Sequence, residues 1–220
     1  MRKPHFHIRP EGLNIISLTL LATLVFALLG WATFSIIGLV AFFFALNFFR
    51  DPERVVPDAQ GVAVAPADGR VVKVEAMQDP FTKEQRTAVC IFMNVFNVHV
   101  NRFPLTGRVR AVSYHPGKFV NASLDKASLD NERCALHFDD EDNGTWTMVQ
   151  IAGLLARRIV CYAETGDSFS RGQRFGLIKL GSRVDLYLPH GYESTVNVGD
   201  KTIAGQSIIA RKNDSATGST

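Results

Sequence analysis

Apolar residues fill one long stretch near the start of the chain and then recur only in short runs. Residues 13–49 contain no charged side chain over 37 positions. As one α-helix this stretch would extend about 55 Å, whereas the hydrocarbon core of a bilayer is about 30 Å thick. Gly30 and Trp31 lie near its middle. The pattern therefore predicts two short helices, 13–29 and 33–49, joined by a turn into a membrane hairpin.

The excess positive charge of the chain flanks this apolar stretch. The net charge is +3, and residues 1–50 hold four basic side chains against the single acid Glu11. Positive residues favour the cytoplasmic side of a membrane, so we predict that the tail 1–12 and the domain after the hairpin both lie on the cytoplasmic face of the cell membrane. The stretch is far too long for a signal peptide. Because the rest of the chain is neutral overall, a nucleic-acid-binding face is disfavoured.

From residue 50 onward, short apolar runs alternate with polar positions and are separated by turn sequences. The runs predicted as strands are 61–65, 70–76, 87–93, 95–101, 108–114, 146–151, 158–165, 174–179 and 183–188. A short helix is favoured only at 121–133. The pattern predicts a mainly β domain over 50–212, built as a barrel or as packed sheets. The Ser/Thr/Gly-rich tail 213–220 is predicted to be disordered.

The cysteines and the known motifs exclude several classes of site. Cys90, Cys134 and Cys161 are odd in number and form no CxxC pair. A disulfide framework and a zinc site are therefore disfavoured, and a reducing compartment is favoured. No GxSxG, HExxH, P-loop or GxGxxG sequence is complete. We expect no metal ion in this protein.

Three short segments carry candidate chemistry, each beside a plainer interpretation. His99 alternates with valines, so on a strand it would share a polar face with Asn97 and Asn101, as a surface residue or as an acid–base group. Asp68 precedes a glycine in a sequence typical of a turn. Gly181–Ser182 is either a tight turn or a peptide whose carbonyl the serine hydroxyl attacks to form an ester.

Five segments, in order along residues 48–210, resemble the phosphatidylserine decarboxylase proenzymes. The processing-site motif of that family is similar to FGLIKLGS at 175–182, and its entry into the soluble domain is similar to FFRDP at 48–52. Its Asp-Gly motif resembles APADG at 65–69. Its histidine motif resembles VHVNR at 98–102, and the Pro-Gly loop that follows resembles YHPGKF at 114–119. The chain is similar to the compact bacterial and archaeal branch.

The chain departs from the family pattern at two places. Many relatives have threonine or serine after the processed serine, whereas Arg183 follows Ser182 here. Longer relatives carry two histidines three residues apart, the second of which belongs to their self-cleavage triad. Here the first position is His99 and the second is Arg102.

The resemblance implies a catalytic set for self-cleavage. Asp68 carries over as the acid of a charge relay, and the base is either His99 or His115. Ser182 attacks the carbonyl of Gly181, and elimination and hydrolysis leave a covalent pyruvoyl cofactor at residue 182. A large chain, 1–181, then stays paired with a small chain, 182–220.

The resemblance also implies the reaction of the mature enzyme. The pyruvoyl ketone of residue 182 forms a Schiff base with the serine amine of phosphatidylserine and accepts the electrons left when CO₂ departs. His99 is the candidate proton donor, and phosphatidylethanolamine is the product. Lys179, Arg157 and Arg158 are candidates to bind the lipid phosphate.

Two other functions fit the same residues. In one, the protein is a non-enzymatic, membrane-anchored β-domain adaptor in which Gly181–Ser182 is only a turn. In the other, it is a pyruvoyl decarboxylase of another amine-bearing lipid. The sequence leaves open whether the chain forms a homo-oligomer and whether the helices cross the bilayer or only enter it.

Overall fold

A computed structural model of the chain describes residues 6–117, 131–153, 158–179 and 181–213. The chain divides into two compact units, Met1–Glu53 and Arg54–Thr220. The first contains the apolar stretch and the second contains the β-rich region. Each unit is described by itself below.

Two apolar helices form the first unit. Helix α1 spans Leu13–Leu28 after a single 3₁₀ turn, and helix α2 spans Ala32–Phe48. These bounds confirm the predicted helices to within one residue at each end, and Gly30 adopts a positive φ of 72° at the turn between them. The helices approach closely at small side chains, because a Cβ at Gly38 would come within 2.5 Å of the Thr23 hydroxyl.

The two ends of this helix pair lie together. Strand β1 (Phe6–Ile8) pairs antiparallel with strand β2 (Arg50–Pro52), and Arg9 forms an ion pair with Asp51 at 3.6 Å. The large apolar side chains of both helices are widely exposed, which water disfavours and lipid does not. Within the described residues, one helical segment, Pro10–Leu28, is long and apolar enough to cross a membrane by length and composition.

The second unit consists of short antiparallel strands, which confirms the mainly β prediction in its packed-sheet form. The strands are β3 (Val62–Val64), β4 (Gly69–Gln78), β5 (Gln85–Met93), β6 (Val100–Arg102), β7 (Gly107–His115), β8 (Arg133–Asp140), β9 (Thr145–Ala152), β10 (Ile159–Cys161), β11 (Ser168–Phe169), β12 (Arg174–Ile178), β13 (Ser182–Tyr187), β14 (Tyr192–Ser194), β15 (Lys201–Thr202) and β16 (Ile208–Lys212). Among the described residues they form one eight-stranded sheet, in the order β11-β7-β8-β9-β13-β5-β4-β15, and two three-stranded sheets, β10-β12-β6 and β14-β16-β3.

Strand β13 lies in the middle of the eight-stranded sheet and is buried along its whole length. Because side chains alternate across a strand, Val184 and Leu186 face the main core, which we call the inner face of the sheet. That core also contains side chains from both three-stranded sheets. Tyr187 faces the opposite side, the outer face, where it packs in a smaller apolar cluster with Val149 and Ile151.

Several sequence predictions differ from the structure, and the short strands β11, β14, β15 and β16 were not predicted. The strand predicted at 95–101 begins only at Val100, because the side chains of Asn94 and Asn97 bond to nearby backbone N–H groups and fold the chain into a turn. The strand predicted at 158–165 ends at Cys161. Strand β8 was not predicted; it begins at Arg133, within the predicted helix 121–133, of which residues 121–130 lie outside the described part of the chain.

Candidate functional site

The Gly181–Ser182 peptide lies where the chain passes from one sheet to another. Strand β12 ends at Ile178 in a three-stranded sheet, and β13 begins at Ser182 in the eight-stranded sheet. Gly181 has a φ of 66°, a conformation that glycine adopts without the strain that a side chain would bring. No atom lies within 4 Å of where its Cβ would stand, so the conformation, not crowding, favours glycine here.

The hydroxyl of Ser182 is buried and has no hydrogen-bond partner among the described residues. Ser182 lies between Met93 of β5 and Ala152 of β9 and, two residues from Val184, faces inward. A buried hydroxyl without a partner destabilises a fold by about 1–3 kcal/mol. Such a group in a native protein therefore indicates a functional role rather than a stabilising one. The Ser182 oxygen is a nucleophile with no competing hydrogen bond, attached next to the Gly181 carbonyl.

His99 contacts the backbone N–H of Gly181, one peptide before the Gly181–Ser182 bond, through its Nε2 atom. The Gly181 N–H donates to Nε2 at 3.3 Å, and Nδ1 lies 2.9 Å from the carbonyl oxygen of Asn97. A carbonyl only accepts and an amide N–H only donates, so the proton is on Nδ1 and the lone pair of Nε2 faces Gly181. His99 is 2% exposed, not on a solvent face. In this arrangement the Nε2 atom accepts from the residue that precedes Ser182.

Asp68 lies at the same end of the eight-stranded sheet. Its carboxylate accepts from the Arg54 guanidinium and from the Ala204 N–H, each at 2.7 Å. The hydrogen bond described at His99 Nδ1, the atom that a relay acid would bind, goes to Asn97 instead. The role of Asp68 as a relay acid stays a prediction.

His115 lies on the other face of the sheet. It is exposed and stands opposite Arg133, which is in register with Ile151 and then with Arg183. Because this row points to the outer face, His115 and Ser182 are on opposite sides of the sheet. The geometry supports His99 and does not support His115 as the base.

The proposed phosphate-binding residues are partly described. The Lys179 N–H donates to the Arg158 carbonyl at 3.2 Å, so the two side chains start from neighbouring positions close to Gly181. Arg158 is exposed and Lys179 is half-buried. Arg157 lies outside the described residues. Arg183 forms a buried double hydrogen bond with Asp185 at 2.7 and 2.8 Å on the outer face, so its charge points away from Ser182.

Two buried amides next to this site were not predicted as functional residues. Gln150 donates to the Asn101 side-chain oxygen at 2.8 Å, and the Asn101 amide approaches the Met93 sulfur at 3.7 Å. Both amides are fully buried in an apolar core, and the Gln150 oxygen has no partner among the described residues. The sequence does carry a signal. Gln150 is the one polar residue in the alternating inward series of β9, which is otherwise Trp146, Met148 and Ala152.

Polar side chains also fix the end of β9 beside Ser182. The Asn131 amide donates to the Ala152 carbonyl at 2.6 Å, and the Ala152 N–H donates to the Glu132 carbonyl at 2.9 Å. The Glu132 carboxylate accepts from the Tyr114 hydroxyl at 2.8 Å, and this bond raises the pKa of Tyr114 because it favours the protonated phenol.

Among the described residues, no group of three or more His, Cys, Asp or Glu side chains is placed to hold a metal ion.

Comparison with known proteins gives a consistent result. The model of the family described as Phosphatidylserine decarboxylase matches residues 41–210, which include Asp68, His99 and Gly181–Ser182. A phosphatidylserine decarboxylase proenzyme of Nitratidesulfovibrio vulgaris is 59% identical over 96% of this chain and 98% of its own length. Proteins of the same name from Oleidesulfovibrio alaskensis and Aromatoleum aromaticum are 57% and 47% identical, over 97% and 94% of this chain and 98% and 96% of their own lengths. The chain therefore belongs to the phosphatidylserine decarboxylase family and is a carboxy-lyase.

Proposed function

We propose that the chain is a proenzyme that cuts itself between Gly181 and Ser182 and then converts phosphatidylserine to phosphatidylethanolamine and CO₂. Its relatives are named phosphatidylserine decarboxylase proenzymes, which supports both the substrate and the processing of a precursor chain. One observation carries the self-cleavage: the buried Ser182 hydroxyl has no partner among the described residues and adjoins a glycine whose N–H meets the basic nitrogen of His99.

Self-cleavage needs only groups of the chain and one water molecule. The Ser182 oxygen adds to the Gly181 carbonyl carbon as its proton passes to a base, and the peptide C–N bond breaks to give an ester and a free amine. Elimination across residue 182 releases the Gly181 carboxylate and leaves a dehydroalanine. Water then replaces the nitrogen, ammonia leaves, and residue 182 carries a ketone. His99 is the proposed base, because its Nε2 atom is held at the backbone N–H of Gly181, the residue before Ser182.

A pyruvoyl group fits the residues present at this position. It is formed from Ser182 itself, whose oxygen has no hydrogen-bond partner among the described residues. When present, the group supplies an electrophilic ketone that binds an amine and accepts electrons as a carboxylate leaves. The inward face of β13 keeps water away from residue 182, and a dry site favours loss of a carboxylate charge. His99 would deliver a proton, and Lys179 and Arg158 would hold the lipid phosphate.

The first unit supports a membrane location for this enzyme. Its paired helices expose large apolar side chains, and β1 and β2 place both ends of the pair together. The basic residues of 1–50 favour the cytoplasmic face for those ends. A substrate that lives in the bilayer is then available to an enzyme anchored in the same membrane.

The decisive experiment is to look for the cut. The wild-type chain, purified in detergent, should run as two bands on a denaturing gel, with fragments 1–181 and 182–220 by intact mass. Ser182→Ala should give one uncut chain that releases no CO₂. The matched control, Ser168→Ala, changes an exposed strand serine and should be cut normally. An intact wild-type chain with no ketone that borohydride reduces would overturn the proposal.

The substrate is tested separately from the cut. Mature enzyme should release CO₂ from phosphatidylserine in mixed micelles, with phosphatidylethanolamine as the product. Release from another lipid that bears an amine and a carboxylate, but none from phosphatidylserine, would keep the pyruvoyl chemistry and replace the substrate.

A further inference from the structure

The Asn101–Gln150 amide pair is a hydrogen-bonded polar contact inside the apolar main core. Asn101 is on β6 and Gln150 is on β9, and both are fully buried beside apolar core residues. Gly176 of β12 lies over the pair, since a Cβ there would come within 3.2 Å of the Gln150 nitrogen. A fold that needed only stability would place apolar side chains here, because a buried polar atom without a partner destabilises it.

Three residues in sequence determine which way the Gln150 amide points. The thioether of Met93 cannot donate, so Asn101 turns its NH₂ group toward the sulfur, at 3.7 Å. The Asn101 oxygen then faces Gln150, which must donate its own NH₂ group, at 2.8 Å. The carbonyl oxygen of Gln150 is left as an acceptor with no donor among the described residues.

This acceptor lies close to residue 182. Ser182 stands directly opposite both Met93 and Ala152, and Gln150 is two residues from Ala152 on the same inward face. Diagonal neighbours of this kind are about 7–8 Å apart, which a long side chain spans. The unpartnered oxygens of Gln150 and Ser182 therefore belong to diagonal neighbours on one buried face of the sheet.

We propose that the Gln150 carbonyl oxygen binds the amine of the substrate headgroup and that Asn101 is the residue that positions it. This inference rests on the proposed function, since the amine is the group that must meet the ketone of residue 182. A buried carbonyl accepts from N–H groups and, unlike a carboxylate, adds no charge that would pair with the ammonium and keep it unreactive. Gln150 selects an amine-bearing headgroup and aims its nitrogen at residue 182.

The test compares two reactions of the same ketone. Full-length Gln150→Met and Asn101→Leu, purified in detergent, keep the side-chain volume and should be cut like the wild type. We expect kcat/KM for phosphatidylserine to fall about tenfold to a hundredfold, and cyanoborohydride trapping of the lipid on the small chain to slow equally. Borohydride reduction of the ketone needs no amine, so its rate should stay at the wild-type value. A general distortion around residue 182 would change that rate.

Two further variants make the result specific. Gln150→Glu retains the shape but introduces a carboxylate that would pair with the ammonium, and should trap the lipid more slowly than the wild type. Thr147→Val removes a buried polar group from the outward face of the same strand and should leave both reactions unchanged.

Each outcome decides one proposal. If wild-type enzyme releases no CO₂ from phosphatidylserine, the proposed function fails. If the wild type is active and Gln150→Met traps the lipid as fast as it does, only the role of Gln150 fails. An uncut Gln150→Met chain would assign Gln150 to self-cleavage and overturn its role as an amine-binding residue.

Discussion

At the scale of single residues, two backbone groups fix the chemistry of His99. The Asn97 carbonyl holds the proton on Nδ1, and the Gly181 N–H marks Nε2 as the acceptor. In many enzymes a carboxylate fixes the tautomer of a catalytic histidine. Here the Asn97 carbonyl, in a turn made by Asn94 and Asn97, contacts Nδ1, which ties the orientation of the proposed base to a local sequence.

Replacing His99 should slow self-cleavage far more than it affects folding. We expect His99→Gln to be cut at least about 100-fold more slowly, since general base catalysis contributes about 10²–10⁴. The measurement is the fraction of cut chain on denaturing gels over time after synthesis. His137→Gln changes a histidine on the outer face and should be cut at the wild-type rate. Equal rates for the two variants would remove His99 from the mechanism.

The basic residues next to Gly181 should act on substrate binding alone. Because Lys179 and Arg158 lie on neighbouring strand ends, we expect the double variant Lys179→Gln/Arg158→Gln to raise KM for phosphatidylserine about tenfold, while cutting is unchanged. The comparison is with Lys83→Gln, an exposed lysine at a hairpin turn. A change in the cut, with no change in KM, would contradict a phosphate-binding role.

At the scale of elements, the β4–β5 hairpin covers part of the outer face. Phe81, in the turn, stacks on the His137 ring with centroids 4.9 Å apart, and the buried carboxylate of Asp79 accepts from two N–H groups of that turn. Burial lowers the pKa of His137 below its usual 6.5, although Asp79 and Asp139 oppose the shift. The hairpin therefore packs best against a neutral ring.

Acid should weaken the fold through this contact. Just below pH 6.5 the unfolded chain binds more protons at residue 137 than the folded chain does, so the free energy of unfolding decreases as the pH falls through that window. We expect the melting temperature to drop more for the wild type than for His137→Gln between about pH 7.5 and 5.5, where histidine normally titrates. Parallel drops in the two proteins would show that His137 is not responsible.

Apolar runs predicted most strands that contain such a run and missed strands without one. Strands β4, β5, β7 and β9 have clear alternation and were found close to their true bounds. Strand β8 carries charged residues at both ends, and β15 has only two residues, so neither shows a periodic apolar run. The predicted strand at 95–101 was shortened by side-chain bonds of Asn94 and Asn97, which periodicity cannot detect.

The candidate site could be predicted only where a motif marks it. The residue pattern marked His99 and Gly181–Ser182 as candidates and the family resemblance gave them roles, and the structure brings His99 and Gly181 together. Alternation suggested a polar face for His99, but the strand after it lies between packed sheets and both faces are buried. The orientation of Gln150 depends on Met93 and Asn101, two residues distant in sequence that meet only through the sheet topology.

At the scale of the whole molecule, the proposed cut divides the chain into two fragments whose strands pair with each other in the same sheets. Strand β13 belongs to the small chain, yet it pairs with β5 and β9 of the large chain along six residues on each side. Strands β15 and β16 pair with β4 and β3, also in the large chain. Severing one peptide bond leaves all these pairs intact.

The two chains of the mature protein should therefore stay associated without a covalent link. We expect fragments 1–181 and 182–220 to co-elute in gel filtration under native conditions in detergent, and to separate only in denaturant. Replacing Val184 with Asp would bury an unpaired charge in the main core and should release the small chain. Separation of wild-type fragments without denaturant would contradict this arrangement.

The central position of β13 in its sheet affects how the protein could refold after the proposed cut. A strand at the edge of a sheet can leave and return, but a strand between two neighbours must be in place before the sheet closes. While the polypeptide is continuous, its connection to β12 keeps β13 at hand. After the proposed cut, the fragments 1–181 and 182–220 of a denatured molecule would have to meet by diffusion. The proposed cut would therefore turn refolding from a reaction of one chain into an association of two fragments, which becomes slower as the protein is diluted.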